Sequence, residues 1–302
     1  MSTELALEGE ADRPGTWWGH PRQLWMLLAV TVGMNFGFYG FRAFLAPYIA
    51  QSFYSGLGPA AAQRHADLLT SGLLALMYAT PIVGGYLADK VLGEALSLLL
   101  SLWLSALSLV LMALPSLFGF EIGMAAFALS SGLNVTLTVL IGRNYPGSDP
   151  RREGGYTLFY LAINFGAFIA PFVCADWVGG RFGYRMGFLA AAVGMALTAT
   201  LFQLRHHKLR ALLPRVGEGP RARAAVAVLA AMAVLLLPAA FLLSRPNILS
   251  AAMYALMGLL VAYFAVTCIR RRDRVQTQRY IALLLLFIAL VLFWTLSFQG
   301  VT

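Results

Sequence analysis

The stretch LWMLLAVTVGMNFGFYGFRAFLAPYIA, residues 24–50, decides what kind of protein this is. A helix of about 20 apolar residues crosses the hydrocarbon core of a bilayer. This run is longer, which predicts a tilted span or a protruding end. It holds no Asp or Glu and one cation, Arg42. On a helix, Asn35, Tyr39 and Arg42 are spaced i, i+4, i+7 and share a face. Gly33, Gly37 and Gly40 have the same spacing and fall on nearly the opposite face, at ~100° per residue. The glycine side lets a neighbouring helix approach closely. The other side presents hydrogen-bond donors to something that is not lipid.

The rest of the chain is of the same kind. Of its 302 residues, 60% are hydrophobic and 12% charged, where a soluble domain would carry about 25% charged residues. Mean hydropathy is +0.74. Nine apolar segments read as spans: 24–50, 67–88, 95–117, 120–142, 155–177, 185–204, 223–244, 248–269 and 280–299. The net charge of +9 does not point to nucleic acid, because the basic residues crowd into short connectors. Arg205, Lys208, Arg210, Arg215, Arg221 and Arg223 lie in one, and Arg270, Arg271, Arg272, Arg274 and Arg279 in another. Both fall on the side of the N-terminus, as does the 143–153 loop. The positive-inside rule then makes the N-terminus cytoplasmic and puts the end of the chain outside. The acidic opening, MSTELALEGEADRPGTWWGHPRQ, is not a signal peptide. Cys174 and Cys268 fall near opposite faces, too far apart for a disulfide. His206 and His207 sit in a basic loop with no Cys or carboxylate nearby, so no metal is expected. No paired carboxylate, His cluster or Ser/His arrangement lies within the spans, so no enzyme and no cofactor is expected.

Four spans carry polar stripes. Besides the first, the fifth has Tyr156, Tyr160 and Asn164, with Ala162, Gly166 and Ala170 on its far side. The fourth has Ser130, Asn134 and Thr138, and the second has Ser71 and Tyr78. One stripe alone is equally explained as glue between helices. Four together are economically explained by a shared water-accessible cavity. Arg42 weighs most, since a charge at a helix centre costs about 2.5–3.5 kcal/mol on insertion scales. Its fork geometry suits a carboxylate. The spans 223–244 and 248–269 have few polar side chains and look peripheral.

These residues resemble the proton-dependent oligopeptide transporter family of the major facilitator superfamily. FGFYGFRAFL (36–45) is similar to that family's FxYYGxRAxL, and FYLAINFGAFIAP (159–171) to its signature FYxxINxGAxxAP. GGYLADKVLG (84–93) resembles its loop between the second and third helices, and FGYRMGFLAAAVGM (182–195) its sixth helix. The resemblance implies an all-α polytopic fold in a bacterial inner membrane. A six-helix bundle would span 24–204 after a cytoplasmic tail, 1–23. A basic linker, 205–222, an extra helix pair, 223–269, and the start of a second bundle, 270–302, would follow. It further implies that Arg42 receives a peptide carboxylate and that Tyr39, Tyr78, Tyr160 and Asn164 stand at cavity positions, with Asn134, a polar contact, where the family has its fourth-helix lysine. The family's coupling positions depart: its ExxER acids and arginine fall on Thr31, Met34 and Asn35, and its seventh-helix glutamate on Phe298. The usual basic pair after LG is Glu94 and Ala95. A proton relay needs protonatable groups at membrane depth, so proton coupling is not expected.

Two functions follow as expectations. One is a secondary transporter moving di- or tripeptides, or related small carboxylate-bearing solutes, by alternating access. The other is a truncated, non-transporting membrane protein, a relic or a scaffold that self-associates or pairs with a second chain. The ninth span runs straight to Thr302, which reads as a chain cut off in the middle of an architecture.

Overall fold

The computed structural model describes residues 16–145, 147–207, 209, 221–271 and 274–299, which are almost wholly helical. The exception precedes the first span. Strand β1 (Thr16–Trp17) pairs antiparallel with β2 (His20–Pro21). Their two-residue turn holds Trp18 at φ 49° and Gly19 at φ 77°, the left-handed pair that suits a tight hairpin. Within the expected tail 1–23, the described residues from Thr16 to Pro21 thus form a hairpin that leads directly into the first span.

Helix α1 (Arg22–Arg42) and α2 (Leu45–Phe53) make up the long first segment. The break between them lies at Phe44, whose φ of −122° leaves the helix. Packing explains it: Phe44 is buried, stacked on Tyr184 at 5.2 Å and edge-on to Phe188 at 4.9 Å. The break ends α1 on Arg42, a cation at the negative end of the helix dipole.

Helix α3 (Pro59–Leu87) passes into a π turn, Ala88–Leu92, before α4 (Glu94–Met112). The fourth segment is α5 (Leu117–Ser131), a 3-10 turn (Gly132–Val135) and α6 (Thr136–Arg143). The fifth is α7 (Arg151–Ala170), a π segment (Pro171–Gly179) and the short α8 (Gly180–Phe182). The π segment starts at Pro171, which has no N–H to continue the α pattern. Helices α9 (Tyr184–Arg205) and α10 (Arg221–Ser244) follow. Seven of these stretches, among the described residues, are long and apolar enough to cross a membrane.

Residues 1–246 and 247–302 form two compact units. The second holds α11 (Pro246–Arg271) and α12 (Arg274–Gln299), the eighth and ninth expected spans. Their described apolar stretches are Met257–Thr267 and Gln278–Phe293. In the first unit α10 packs on α5 and α3. The division falls inside the expected pair 223–269.

Small residues set the packing of the first unit. Along α1, Gly33 meets Thr198 and Gly37 meets Met195 of α9, and Gly40 meets Cys174 of the π segment. Gly166 of α7 lies against the α1 backbone at Val32 and Phe36. Ala162 and Ala170 are buried with it. Gly84 of α3 lies on the carbonyl of Gly132, and Thr80 donates to the Ala128 carbonyl at 2.9 Å. Helix α4 joins α5 by serines: Ser101 donates to the Ser130 carbonyl, and Ser105 bonds the Ser130 hydroxyl, both at 2.8 Å.

That last contact corrects the reading of the fourth span. Ser130 is fully buried against α4, while Thr138 is exposed. The 3-10 turn has three residues per turn, so it rotates everything after Gly132 and breaks the i, i+4, i+8 stripe. Ser130 is glue, not cavity lining.

Candidate functional site

Arg42 is half-buried at the end of α1, with its guanidinium 5.7 Å from the Phe38 ring centre and 5.8 Å from that of Tyr39. Distances of this order hold a guanidinium by cation–π attraction. Tyr39 is half-buried and edge-on to Phe38 at 5.0 Å. The two rings orient the fork at the mouth of the α1–α2 break.

The other expected residues lie on α7, on α3 and in the 3-10 turn of the fourth segment. Tyr160 is 66% exposed on α7, and Asn164, one turn on, donates its amide to the Tyr160 carbonyl at 2.8 Å. Tyr78 is 70% exposed on α3. Asn134 is half-buried in the 3-10 turn, so it is carried by a helix interruption and not by a helix face. The structure brings Arg42 into contact with Tyr39, and places Tyr160 and Asn164 on one face. Tyr78, Tyr160 and Asn164 sit on the sides of α3 and α7 left open by the packing of the unit.

The polar residues of α1 aligned above with the family's coupling positions bond within their own helix. Thr31 is fully buried and donates to the Leu27 carbonyl at 2.8 Å. Asn35 donates to the Thr31 carbonyl at 2.8 Å. Both polar groups close on their own helix, and Met34 between them is apolar. The side chain of Phe298 lies outside the described residues.

Two charged arrangements were missed by sequence reasoning. Glu94, 4% exposed at the start of α4, pairs with Arg143 at the end of α6 at 2.5 Å. The substitution of an acid after LG was visible in the sequence; its partner, 49 residues on, was not. The second joins the hairpin to the loop after α6. His20 Nδ1 meets the Tyr145 hydroxyl at 2.7 Å, and Arg151 donates to the Gly19 carbonyl at 2.8 Å. Arg151 also forks onto Asp149, at 3.0 Å to Oδ1 and 2.7 Å to Oδ2. Hydrogen bonds from Arg151 hold the Asp149 carboxyl down to about 2, and burial pushes the Tyr145 hydroxyl up to about 12. No cluster of metal-ligating side chains occurs among the described residues.

A bundle of small-residue contacts, with a cation–π-held arginine where the first span breaks, fits the expected architecture, and comparison with known proteins decides the matter. The model of the POT family matches residues 116–302. The chain belongs to the POT family. It is 30% identical to the uncharacterised transporter YclF of Bacillus subtilis over 295 residues, covering 94% of this chain and 59% of that protein. It is 30% identical to a di-/tripeptide transporter of Lactococcus lactis, covering 95% and 61%. Among solved structures, a POT peptide transporter in complex with alafosfalin matches with a TM-score of 0.76 and 29% identity, over 95% of this chain and 60% of that one. A POT family transporter in complex with 5-aminolevulinic acid matches with a TM-score of 0.75 and 28% identity, over 95% and 61%. The chain thus spans about 60% of the length of these POT relatives. It is a multi-pass membrane protein of their fold, and the relatives named are transporters.

Proposed function

We propose that this chain binds a di- or tripeptide, or a similarly small solute with a carboxylate, as part of a POT-type alternating-access carrier in the inner membrane, with its N-terminus cytoplasmic. The observation that carries the reading is Arg42. It is half-buried at the end of an apolar helix, and two aromatic rings orient its fork. Such a fork matches a carboxylate bidentately. Tyr39 lies beside it, and Tyr78, Tyr160, Asn164 and Asn134 offer hydroxyl and amide contacts for the rest of the solute. The names of the POT relatives support the substrate class. Binding proceeds without a proton relay on α1, because Thr31, Met34 and Asn35 carry nothing that titrates.

The test is peptide binding to the purified chain, read as thermal stabilisation in detergent. Ligand that binds only the folded form raises its stability by mass action. Dialanine should bind, and dialanine amide should bind about 10- to 100-fold more weakly, the value of hydrogen bonds to a charged group. Arg42→Ala should cost dialanine the same factor and leave the amide little changed. If Arg42→Ala binds dialanine as well as the parent chain does, Arg42 is not the carboxylate clamp. If neither peptide stabilises the parent chain, the substrate class falls.

A further inference from the structure

At the N-terminal end of the first unit lies a cavity of 730 Å3 that none of the residues above enters. It is lined by Arg22, Gln23 and Trp25 of α1, Leu201 and Arg205 of α9, and Trp17 of the hairpin. We propose that it binds the phosphate headgroup of an anionic phospholipid, with the acyl chains running along α9.

The charge is the first argument. Arg22 and Arg205 come from two different helices, are both exposed, and neither forms an ion pair with a described residue. Guanidinium groups recognise phosphate oxygens bidentately. The cavity also adjoins the start of α1, whose N-cap, Pro21, supplies no side-chain acceptor to its first N–H groups. A helix N-terminus without a cap adds positive partial charge.

The frame is the second argument. Trp17, Trp18 and Trp25 form one indole cluster, with ring centres 5.2 to 5.3 Å apart. The Trp25 indole donates to the Trp17 carbonyl at 3.0 Å, which locks hairpin to helix. Indoles at the ends of spans occupy the headgroup level of a bilayer. The cavity is therefore at the depth of lipid phosphates, and basic pockets between spans at this depth bind anionic headgroups.

The third argument separates a lipid from a free phosphate. Val193, Leu197 and Leu204 of α9 are 59%, 67% and 68% exposed. With Leu201, which lines the cavity, they form one stripe at i, i+4, i+8, i+11. An apolar track leads from the basic cavity into the membrane span. A free anion has no use for it; an acyl chain does.

The experiment is native mass spectrometry of the purified full chain, titrated with dioleoylphosphatidylglycerol, with dioleoylphosphatidylcholine and, separately, with inorganic phosphate. One phosphatidylglycerol should be retained in preference to phosphatidylcholine. Arg22→Gln and Arg205→Gln should each weaken it about fivefold, the usual value of one cation near an anionic headgroup. The double variant should lose the preference, and Arg22→Lys with Arg205→Lys should keep it. Leu197→Gln should weaken the lipid without affecting phosphate. A preference that survives in the double glutamine variant overturns the proposal. So does inorganic phosphate binding as tightly as phosphatidylglycerol, which would make the cavity a free-anion site. Both arginines are exposed, and the mass spectrum reports on folded, detergent-stripped protein, so loss of the fold is distinguishable from loss of the lipid.

Discussion

At the scale of single residues, what a glycine touches decides what replacing it does. A Cβ on Gly33 would strike the side chain of Thr198, whereas one on Gly84 would strike the backbone carbonyl of Gly132. Overpacking of this kind costs about 1–3 kcal/mol. Gly33→Ala should therefore be partly rescued by Thr198→Ala, which removes the hydroxyl and methyl but keeps a Cβ 2.9 Å away, and Gly84→Ala by no side-chain change in the 3-10 turn. Melting of the four α1/α9 combinations measures the coupling; additive effects would contradict the contact. The Glu94–Arg143 pair makes a second, asymmetric prediction. Glu94 has a side chain only 3% exposed, while that of Arg143 is 36% exposed. Arg143→Ala leaves a buried carboxylate alone and should cost about 3–5 kcal/mol. Glu94→Gln leaves an arginine that can reach water and should cost clearly less. Equal losses on thermal or chemical unfolding would refute the burial argument. The glycine stripes were legible in the sequence because helical period alone aligns them. Glu94 was legible as an oddity only, because its partner comes from a helix three elements away.

At the scale of elements, the breaks matter more than the helices. Each long apolar segment could be read as one span, yet the first, second, fourth and fifth are interrupted. The break at Phe44 places Arg42 at a helix end, and the 3-10 turn at Gly132–Val135 carries Asn134. Helical periodicity extrapolated through that turn put Ser130 on the wrong side. Backbone contact with α3 at Gly84 and Thr80 accompanies the turn, and no local pattern announces such contact. The hairpin β1–β2 is likewise held from afar, through His20–Tyr145 and Arg151–Gly19. Its attachment predicts an acid dependence. Asp149, paired with Arg151, has its pKa lowered to about 2 from an ordinary 3.8. A depressed carboxyl contributes stability that is complete above the ordinary value and is lost as pH falls from there through about 2. Emission from Trp17 and Trp18, followed from pH 5 downward, should report loosening of the hairpin in that window. Asp149→Asn should already show the loosened signal at pH 5 and stay flat below it. An identical acid transition in both proteins would detach the hairpin from this pair.

At the scale of the whole molecule, the first unit carries the exposed tyrosines of α3 and α7 and the half-buried arginine of α1, and Thr31, Met34 and Asn35 of α1 carry nothing that titrates. If the proposed function holds and peptide crosses the membrane through this chain, its uptake into proteoliposomes should be driven by the peptide gradient. An imposed pH gradient of one unit should leave the rate within about twofold, where tight one-proton coupling would concentrate peptide about tenfold. Accumulation that collapses with a protonophore would show that some other group couples. Composition and hydropathy determined by themselves that the chain is helical and embedded in a bilayer, because lipid leaves unsatisfied backbone groups no other solution than a helix or a closed barrel. Helical period determined which glycines of α1 and α7 face a neighbour, because that is a local property of one helix. Only the tertiary structure decided where the helices break, which serine became glue, which arginine met Glu94, and that Trp17, Arg22 and Arg205 frame one cavity. These depend on contacts between segments far apart in the chain, and a single sequence encodes such contacts in no local pattern.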